Sequence, residues 1–201
     1  QTGTIIIGTY LSCSIHWIPK IIQEFQQKHP DIHFKIIQGS EGELAEWIQE
    51  RKVDIGFLSY QAEQRYQFLP VMNDELFAVL PKGIFAAQDA IPIEDFNNQP
   101  FIITEYTPGS DIHRILKEHQ SLRIIRYVTV NEFSSLSMVE HNLGLTILPG
   151  LLLRGQIGNY TTLPLFPRAY RKLGLAFSSQ EELSPASKSF WNMQKFSFSK
   201  S

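Results

Sequence analysis

Residues 4–58 read TIIIGTYLSCSIHWIPKIIQEFQQKHPDIHFKIIQGSEGELAEWIQERKVDIGFL. Thr4 to Thr9 is β-branched and nearly all apolar, which predicts a strand buried on both faces of a parallel sheet. Ile15, Ile18, Ile22 and Phe25 then recur at helical spacing, with Pro19 in the first turn, where its missing N–H costs least. His29-Pro30-Asp31 stops that helix. Phe34 to Gln38 is a second strand. Ser40 and Glu43 have capping-box spacing, so they open a helix carrying Leu44, Trp47 and Ile48. Val53 to Leu58 is a third strand. The order β-α-β-α-β with short connections dictates a mainly parallel sheet with right-handed crossovers.

Farther along, Glu75 to Leu80 is an apolar strand ending at Pro81-Lys82-Gly83. The turn-rich stretch from Ala86 to Pro100 holds only a brief helical candidate, Ile93 to Phe96, and suggests a change of lobe. Phe101 to Thr104 is a strand, and Pro108-Gly109-Ser110 breaks the chain and caps a helix with Ile112, Ile115 and Leu116 on one face. Ile124 to Val130 is a strand. Asn131 caps a helix whose stripe is Phe133, Leu136, Val139 and Leu143, ending at Gly144. Leu145 to Leu148 is a short buried strand, with Pro149 as the first residue of a further helix. Leu173 to Phe177 is the last strand, and Ser184-Pro185 opens a terminal helix carrying Phe190, Trp191 and Met193. The second half thus repeats the β-α-β plan. No internal repeat or low-complexity segment is present.

The bulk numbers narrow the function. The chain has 201 residues, 43% of them hydrophobic, enough for one large domain or two small lobes. Its net charge of −2, with both signs interspersed, leaves no basic face for phosphate contacts, so this chain by itself is not expected to hold DNA. The one cysteine, Cys13, excludes an internal disulfide and fits a reducing compartment. No apolar run reaches the roughly 20 residues of a bilayer span, and no signal peptide opens the chain, so a soluble cytoplasmic domain without membrane contact is expected. Gln1 and Thr2 lead straight into the first strand, which fits a domain cut from something longer.

Five pieces of sequence carry a resemblance. They are Ile5-Ile6-Ile7-Gly8; Trp17-Ile18-Pro19 with Phe25 and His29-Pro30-Asp31; Gly39-Ser40 with Leu44; Val53-Asp54-Ile55-Gly56-Phe57; and Leu143-Gly144-Leu145-Thr146-Ile147-Leu148-Pro149. In this order the chain resembles, over nearly its whole length, the effector-binding domain of LysR-type transcriptional regulators. The resemblance implies an α/β fold of type II periplasmic-binding-protein kind: two Rossmann-like lobes with mainly parallel sheets, joined by two crossover strands. Lobe I would be 1–75 and 176–201, and lobe II 76–175. It further implies a small polar or carboxylate-bearing effector in the cleft between lobes, no cofactor, and a homodimer that becomes a tetramer in the full-length protein. DNA would be held only through an N-terminal helix-turn-helix absent from this chain. In the dimer the first helix of one copy would face lobe II of the other, near the helix after Asn131. Trp17 and Ile21, off the main stripe, are candidates for that face, and simple core burial accounts for them nearly as well.

Ligands of open α/β sheets gather at the carboxyl ends of the strands, which selects the loops at 9–14, 39–41, 59–61, 104–110 and 129–132. The candidate ligand-binding residues there are Thr9, Ser12, Ser40, Ser59, Thr104, Tyr106, Ser110 and Asn131. Ser12 stands ahead of a helix whose amides favour an anion, and its position matches a hydroxyl residue that contacts effector in several family members. Helix capping alone also accounts for Ser12, Ser40 and Asn131, and a surface turn accounts for Tyr106.

Other chemistries lack their parts. Gly39-Ser40-Glu41-Gly42 does not have the G-x-S-x-G spacing of a nucleophile elbow. His29 and His33 are separated by a helix-breaking Pro30-Asp31, so they share no face for a metal. Cys13 has no resolving partner for redox work. Beyond hydroxyls and amides, the cleft loops offer only Glu105 as an acid, which is binding chemistry rather than catalysis. An extracytoplasmic solute-binding protein of the same fold is the alternative function, and an export signal upstream would distinguish it from a regulator.

Overall fold

A computed structural model describes residues 2–60, 62, 64–84, 88–104, 110–120 and 125–198. Contacts divide the chain into two compact units, Gln1–Asn73 with Lys172–Ser201, and Asp74–Arg171. The change of unit falls not in the turns at 86–100 but inside two long strands, β4 (Gln67–Pro81) and β9 (Tyr160–Phe177), between 73 and 74 and between 171 and 172, two and four residues from the bounds the resemblance implied.

In the first unit β1 (Gly3–Thr9) lies between β2 (Ile32–Gln38) and β3 (Ile55–Ser59), parallel to both. The carboxyl-terminal part of β9 runs antiparallel to β3, pairing Gly56 with Ala176 and Ser59 with Leu173. Asp54 accounts for the VDIGF signature: its Oδ2 accepts the Ile6 N–H at 2.7 Å, and its own N–H donates to the Ile6 carbonyl at 2.8 Å. The side chain thereby satisfies a β1 amide where β3 has not yet begun. Gly8 and Gly56 are register partners under the helix α3 (Glu41–Gln49). A Cβ on Gly8 would lie 2.9 Å from Leu44, and one on Gly56 would strike Ile48. The two glycines therefore let α3 rest on the sheet, burying Leu44 and Ile48 against Val53, Leu58 and Ala176.

The first helical stretch is two helices, α1 (Leu11–His16) and α2 (Ile18–Gln26), separated at Trp17, with Pro19 in the first turn of α2. The break shifts the stripe. Ile18, Ile21 and Phe25 are buried, while Ile15 is 39% exposed and Ile22 only partly covered, so Ile21 is a core residue rather than a dimer-face candidate. Trp17 is half-buried, its ring 6.3 Å from Phe57 and 6.2 Å from Phe198. Phe25 packs with Phe34 and with Phe190 of α7 (Pro185–Phe198), at ring separations of 5.9 and 5.2 Å.

In the second unit β6 (Phe101–Thr104) pairs in parallel with β7 (Ile125–Thr129) and, through Phe101 and Leu145, with the start of β8 (Thr146–Pro149). β8 runs antiparallel to the carboxyl-terminal part of β4, and the short β5 (Ile91–Pro92) pairs with β9. A 3₁₀ turn over Ile93–Asn98 and α4 (Asp111–Glu118) cover the core of Leu76, Leu80, Phe96, Phe101, Ile115, Leu116 and Ile147. α5 (Glu132–Glu140) buries Leu136 and Val139, but Phe133 and Leu143, expected on its apolar stripe, are each 41% exposed. The helix ends through Asn142, whose φ of 57° is left-handed, and not through Gly144. Gly144 instead admits the Pro100 carbonyl, which a Cβ there would strike. Pro149 is the N-cap of α6 (Gly150–Leu153) rather than its first residue.

This unit's first and last residues are tied by a buried ion pair. Asp74 Oδ2 accepts from Arg171 Nε at 2.9 Å and Nη2 at 2.8 Å, while Oδ1 accepts the Leu151 N–H at 2.8 Å. Burial pushes the nearby Glu132 carboxyl above its ordinary pKa, with the Arg171 charge opposing the shift.

Candidate functional site

Parallel pairing brings three strand ends of the first unit together. Thr9 is opposite Gln38 on one side and Phe57 on the other, the Gly39 N–H donates to the Thr9 carbonyl, and the Tyr10 N–H donates to the Phe57 carbonyl. Thr9, Tyr10, Ser40 and Ser59 therefore belong to one rim. Thr9 is fully buried, and its hydroxyl donates to the Tyr10 carbonyl at 2.9 Å. Ser12 is not in a loop: it is the second residue of α1, only 2% exposed. A leucine there would overpack a buried position, a cost of about 1–3 kcal/mol. Ser59 is 1% exposed, and its Oγ has no hydrogen-bond partner among the described residues. Its N–H donates to the Tyr10 hydroxyl at 3.2 Å. Tyr10 is thus a rim residue that sequence reasoning missed. The signal available was its place one residue beyond Thr9.

Ser40 makes the full capping box. Its Oγ accepts the Glu43 N–H at 3.4 Å, while its own N–H and hydroxyl each donate to Glu43 Oε2 at 2.8 Å. The Ser40 N–H is the largest cause holding the Glu43 carboxyl below its ordinary pKa, followed by the hydroxyl. A depressed carboxyl pKa contributes stability above the unfolded-state value, and that contribution is lost as pH falls through the folded one. Ser40→Ala is accordingly expected to cost about 1 kcal/mol at neutral pH. In urea titrations that cost should shrink as Glu43 becomes protonated in acid.

The second unit has its own hydroxyl cluster. Thr104 and Thr129 are register partners at the ends of β6 and β7. Both side chains bond to Ser135, which is fully buried in α5, at 2.9 and 2.7 Å. Thr129 also donates to the Asn131 carbonyl at 3.2 Å, and Asn131 Oδ1 accepts the Ser134 N–H at 2.9 Å. Thr104 and Asn131 are therefore joined through Thr129 and Ser135, two residues the sequence did not single out. Ser110 stands apart as the cap of α4, accepting the His113 N–H at 3.3 Å. Tyr106 and Glu105 lie outside the described residues.

The residues set aside on sequence have other surroundings. His29 stacks on Phe25 with ring centroids 4.4 Å apart, His33 is exposed in β2, and Cys13 is buried in α1. Among the described residues no cluster of three His, Cys, Asp or Glu side chains could hold a metal, and no helix is long and apolar enough to cross a membrane.

Residues 1–195 match the LysR substrate binding domain family. The chain belongs to that family. It is the effector-binding, regulatory domain of a LysR-type transcriptional regulator, with the type II periplasmic-binding-protein fold. It is 30% identical over 198 residues to the uncharacterized HTH-type transcriptional regulator YvbU of Bacillus subtilis, covering 97% of this chain and 68% of that protein. With the dual regulator GltC of the same organism the identity is 22%, covering 98% and 68%. The chain thus spans about two thirds of the length of these relatives. Among solved structures, the effector-binding domain of QuiR in complex with shikimate superposes with a TM-score of 0.87 at 24% identity, covering 100% of this chain and 99% of that one. The BenM effector-binding domain with benzoate gives 0.76 at 18%, covering 98% and 94%.

Proposed function

We propose that this domain senses a small polar or carboxylate-bearing effector through Thr9, Ser12, Ser40 and Ser59 of the first unit and Thr104, Tyr106, Ser110 and Asn131 of the second. The observation that carries the reading is the Ser59 hydroxyl, buried and without a partner at the rim formed by Thr9, Tyr10 and Ser40. A buried hydroxyl left unsatisfied costs free energy that a bound oxygen-rich ligand recovers. That QuiR and BenM were captured with shikimate and benzoate, both carboxylates, supports the same ligand class. The parent protein would be cytoplasmic and would hold DNA through a separate helix-turn-helix. Effector would act by binding one conformational state better than another.

A thermal-shift screen of small carboxylates tests the reading, because a ligand at 100 times its dissociation constant adds about 2.7 kcal/mol. The decisive variant is Ser59→Ala. Its hydroxyl makes no bond among the described residues, so the unliganded melting temperature should stay unchanged while affinity for the hit falls about tenfold in calorimetry. Unchanged affinity would remove Ser59 from the site.

The self-association reading keeps the face near the helix after Asn131. Val128, Val130 and Phe133 are 60%, 76% and 41% exposed, and Ile15 of α1, Ile36 of β2 and Tyr60 are the exposed large hydrophobic residues among those described in the first unit. Contiguous exposed apolar side chains mark contact surfaces. Replacing Val130 and Phe133 together by aspartate is expected to convert a dimer to monomer in light scattering, with the far-ultraviolet circular dichroism unchanged.

A further inference from the structure

A pocket is lined by residues of the second unit alone, and Thr104, Thr129 and Ser135 are not among them. It measures about 390 Å³ and is lined by Ile93, by Arg114, Ile115, Glu118 and His119 of α4 and its end, and by 167–170 of β9. That volume falls in the range of small-molecule sites. Ile93 and Ile115 are buried at 1% and 5% exposure, and Pro167 and Ala169 add further apolar surface. Tyr170, 46% exposed, adds an aromatic face.

The charged groups around this apolar lining are incompletely used. Arg114 spends Nη2 on Asp111 at 3.0 Å, and Arg168 spends Nη1 on the two oxygens of Glu75 at 3.0 and 3.1 Å and also hydrogen-bonds the Tyr170 side chain. A guanidinium has five donors, so each retains several for a further acceptor. The Arg114 and Arg168 side chains are 50% and 60% exposed, and ion pairs at such exposure contribute little and rearrange readily. His119 is engaged at 2.8 Å by Glu94, which holds the Glu94 carboxyl below its ordinary pKa and occupies that imidazole nitrogen. Glu118 is exposed and makes no ion pair among the described residues.

Two guanidiniums with spare donors, one carboxylate without an ion pair among the described residues, and an apolar lining with a tyrosine match a molecule carrying a carboxylate, an ammonium and an apolar side chain. A simple anion would meet the Glu118 charge, and a simple amine would meet two arginines. We propose that this pocket is a second ligand site, specific for zwitterions of the apolar α-amino-acid type. Arg114 and Arg168 would take the carboxylate, Glu118 the ammonium, and Ile93, Ile115, Pro167, Ala169 and Tyr170 the side chain. Charge-assisted hydrogen bonds from both ends fix the orientation, and neither end alone suffices.

The test is titration of the chain with L-phenylalanine and L-leucine, followed by methyl NMR and calorimetry. 3-Phenylpropionate, which lacks the ammonium, and phenethylamine, which lacks the carboxylate, serve as comparators. Saturable binding of the amino acids is expected, with shifts at the Ile93, Ile115 and Ala169 methyls and at least about tenfold weaker binding of either comparator. E118Q should weaken L-phenylalanine about tenfold and leave 3-phenylpropionate no weaker, whereas R114Q should weaken both. S59A should change neither, which separates this pocket from the effector rim. Absence of saturable binding of both amino acids up to about 10 mM would overturn the proposal. So would shifts confined to other residues, or an E118Q variant that binds L-phenylalanine as well as the parent chain does.

Discussion

Asp74→Ala is expected to lower the unfolding free energy by about 3–5 kcal/mol, as far as any single change in the second unit. The carboxylate is almost fully enclosed and does three things at once: it accepts from Nε and Nη2 of Arg171 and from the Leu151 N–H. Removing it leaves a guanidinium in a buried site and an amide without its acceptor, and both penalties add. Asp74→Asn should recover part of the loss, since a carboxamide oxygen can still accept the Leu151 N–H while the ion pair with Arg171 is lost. Glu75→Ala, one residue along, is the control. Its partner Arg168 is 60% exposed, where water screens the pair, so this change should cost far less than Asp74→Ala. Guanidinium unfolding curves of the three variants would check the ranking. An Asp74→Ala cost as small as that of Glu75→Ala would show that water reaches the pair.

Asp74 and Arg171 also show what a sequence does and does not disclose. Strands, caps and their order were legible because they depend on local chemistry. Ser40 with Glu43, Ser110 and Asn131 cap the helices they were expected to cap, and the parallel β-α-β order follows from apolar runs and short connections. The full lengths of β4 and β9 were not legible. Their outer parts, 67–73 and 160–170, carry Pro70, Pro164 and Pro167, residues that argue against a strand, and most of their positions are exposed or half-buried. A change of unit in mid-strand leaves no break in composition, so residue patterns alone pointed to the turns at 86–100, while the bounds at 75/76 and 175/176 came only from the resemblance. Contacts between distant residues were equally silent. Nothing near Asp74 announces Arg171, and nothing near Thr104 announces Ser135. Of the candidate site residues, the strand-end positions could be read because the carboxyl end of a parallel strand follows from its direction. The partners that hold them follow only from register, as Thr104 opposite Thr129 and Thr9 opposite Phe57 illustrate.

The helix after β1 makes that limit measurable. A single helix from Ile15 to Phe25 places Ile15 and Ile22 on the buried stripe, and this spacing is self-consistent. The break at Trp17, with φ −113° and ψ −52°, starts a new helix and a new phase. In α2 the buried positions become Ile18, Ile21 and Phe25, spaced by three and four, which is an equally regular stripe. Phe25→Ala should therefore cost about 3–5 kcal/mol, because its fully buried ring meets Phe34, Phe190 and His29 and leaves a cavity between a helix, a strand and α7. Ile21→Ala should cost about 2–5 kcal/mol for the same reason on a smaller side chain. Ile22→Ala, beside it in sequence but only partly covered, should cost clearly less than Ile21→Ala, since less surface leaves water at that position. Urea midpoints of the three variants decide between the two phases: if Ile22→Ala proves the costlier of the neighbouring pair, the unbroken helix is correct and the break at Trp17 is not.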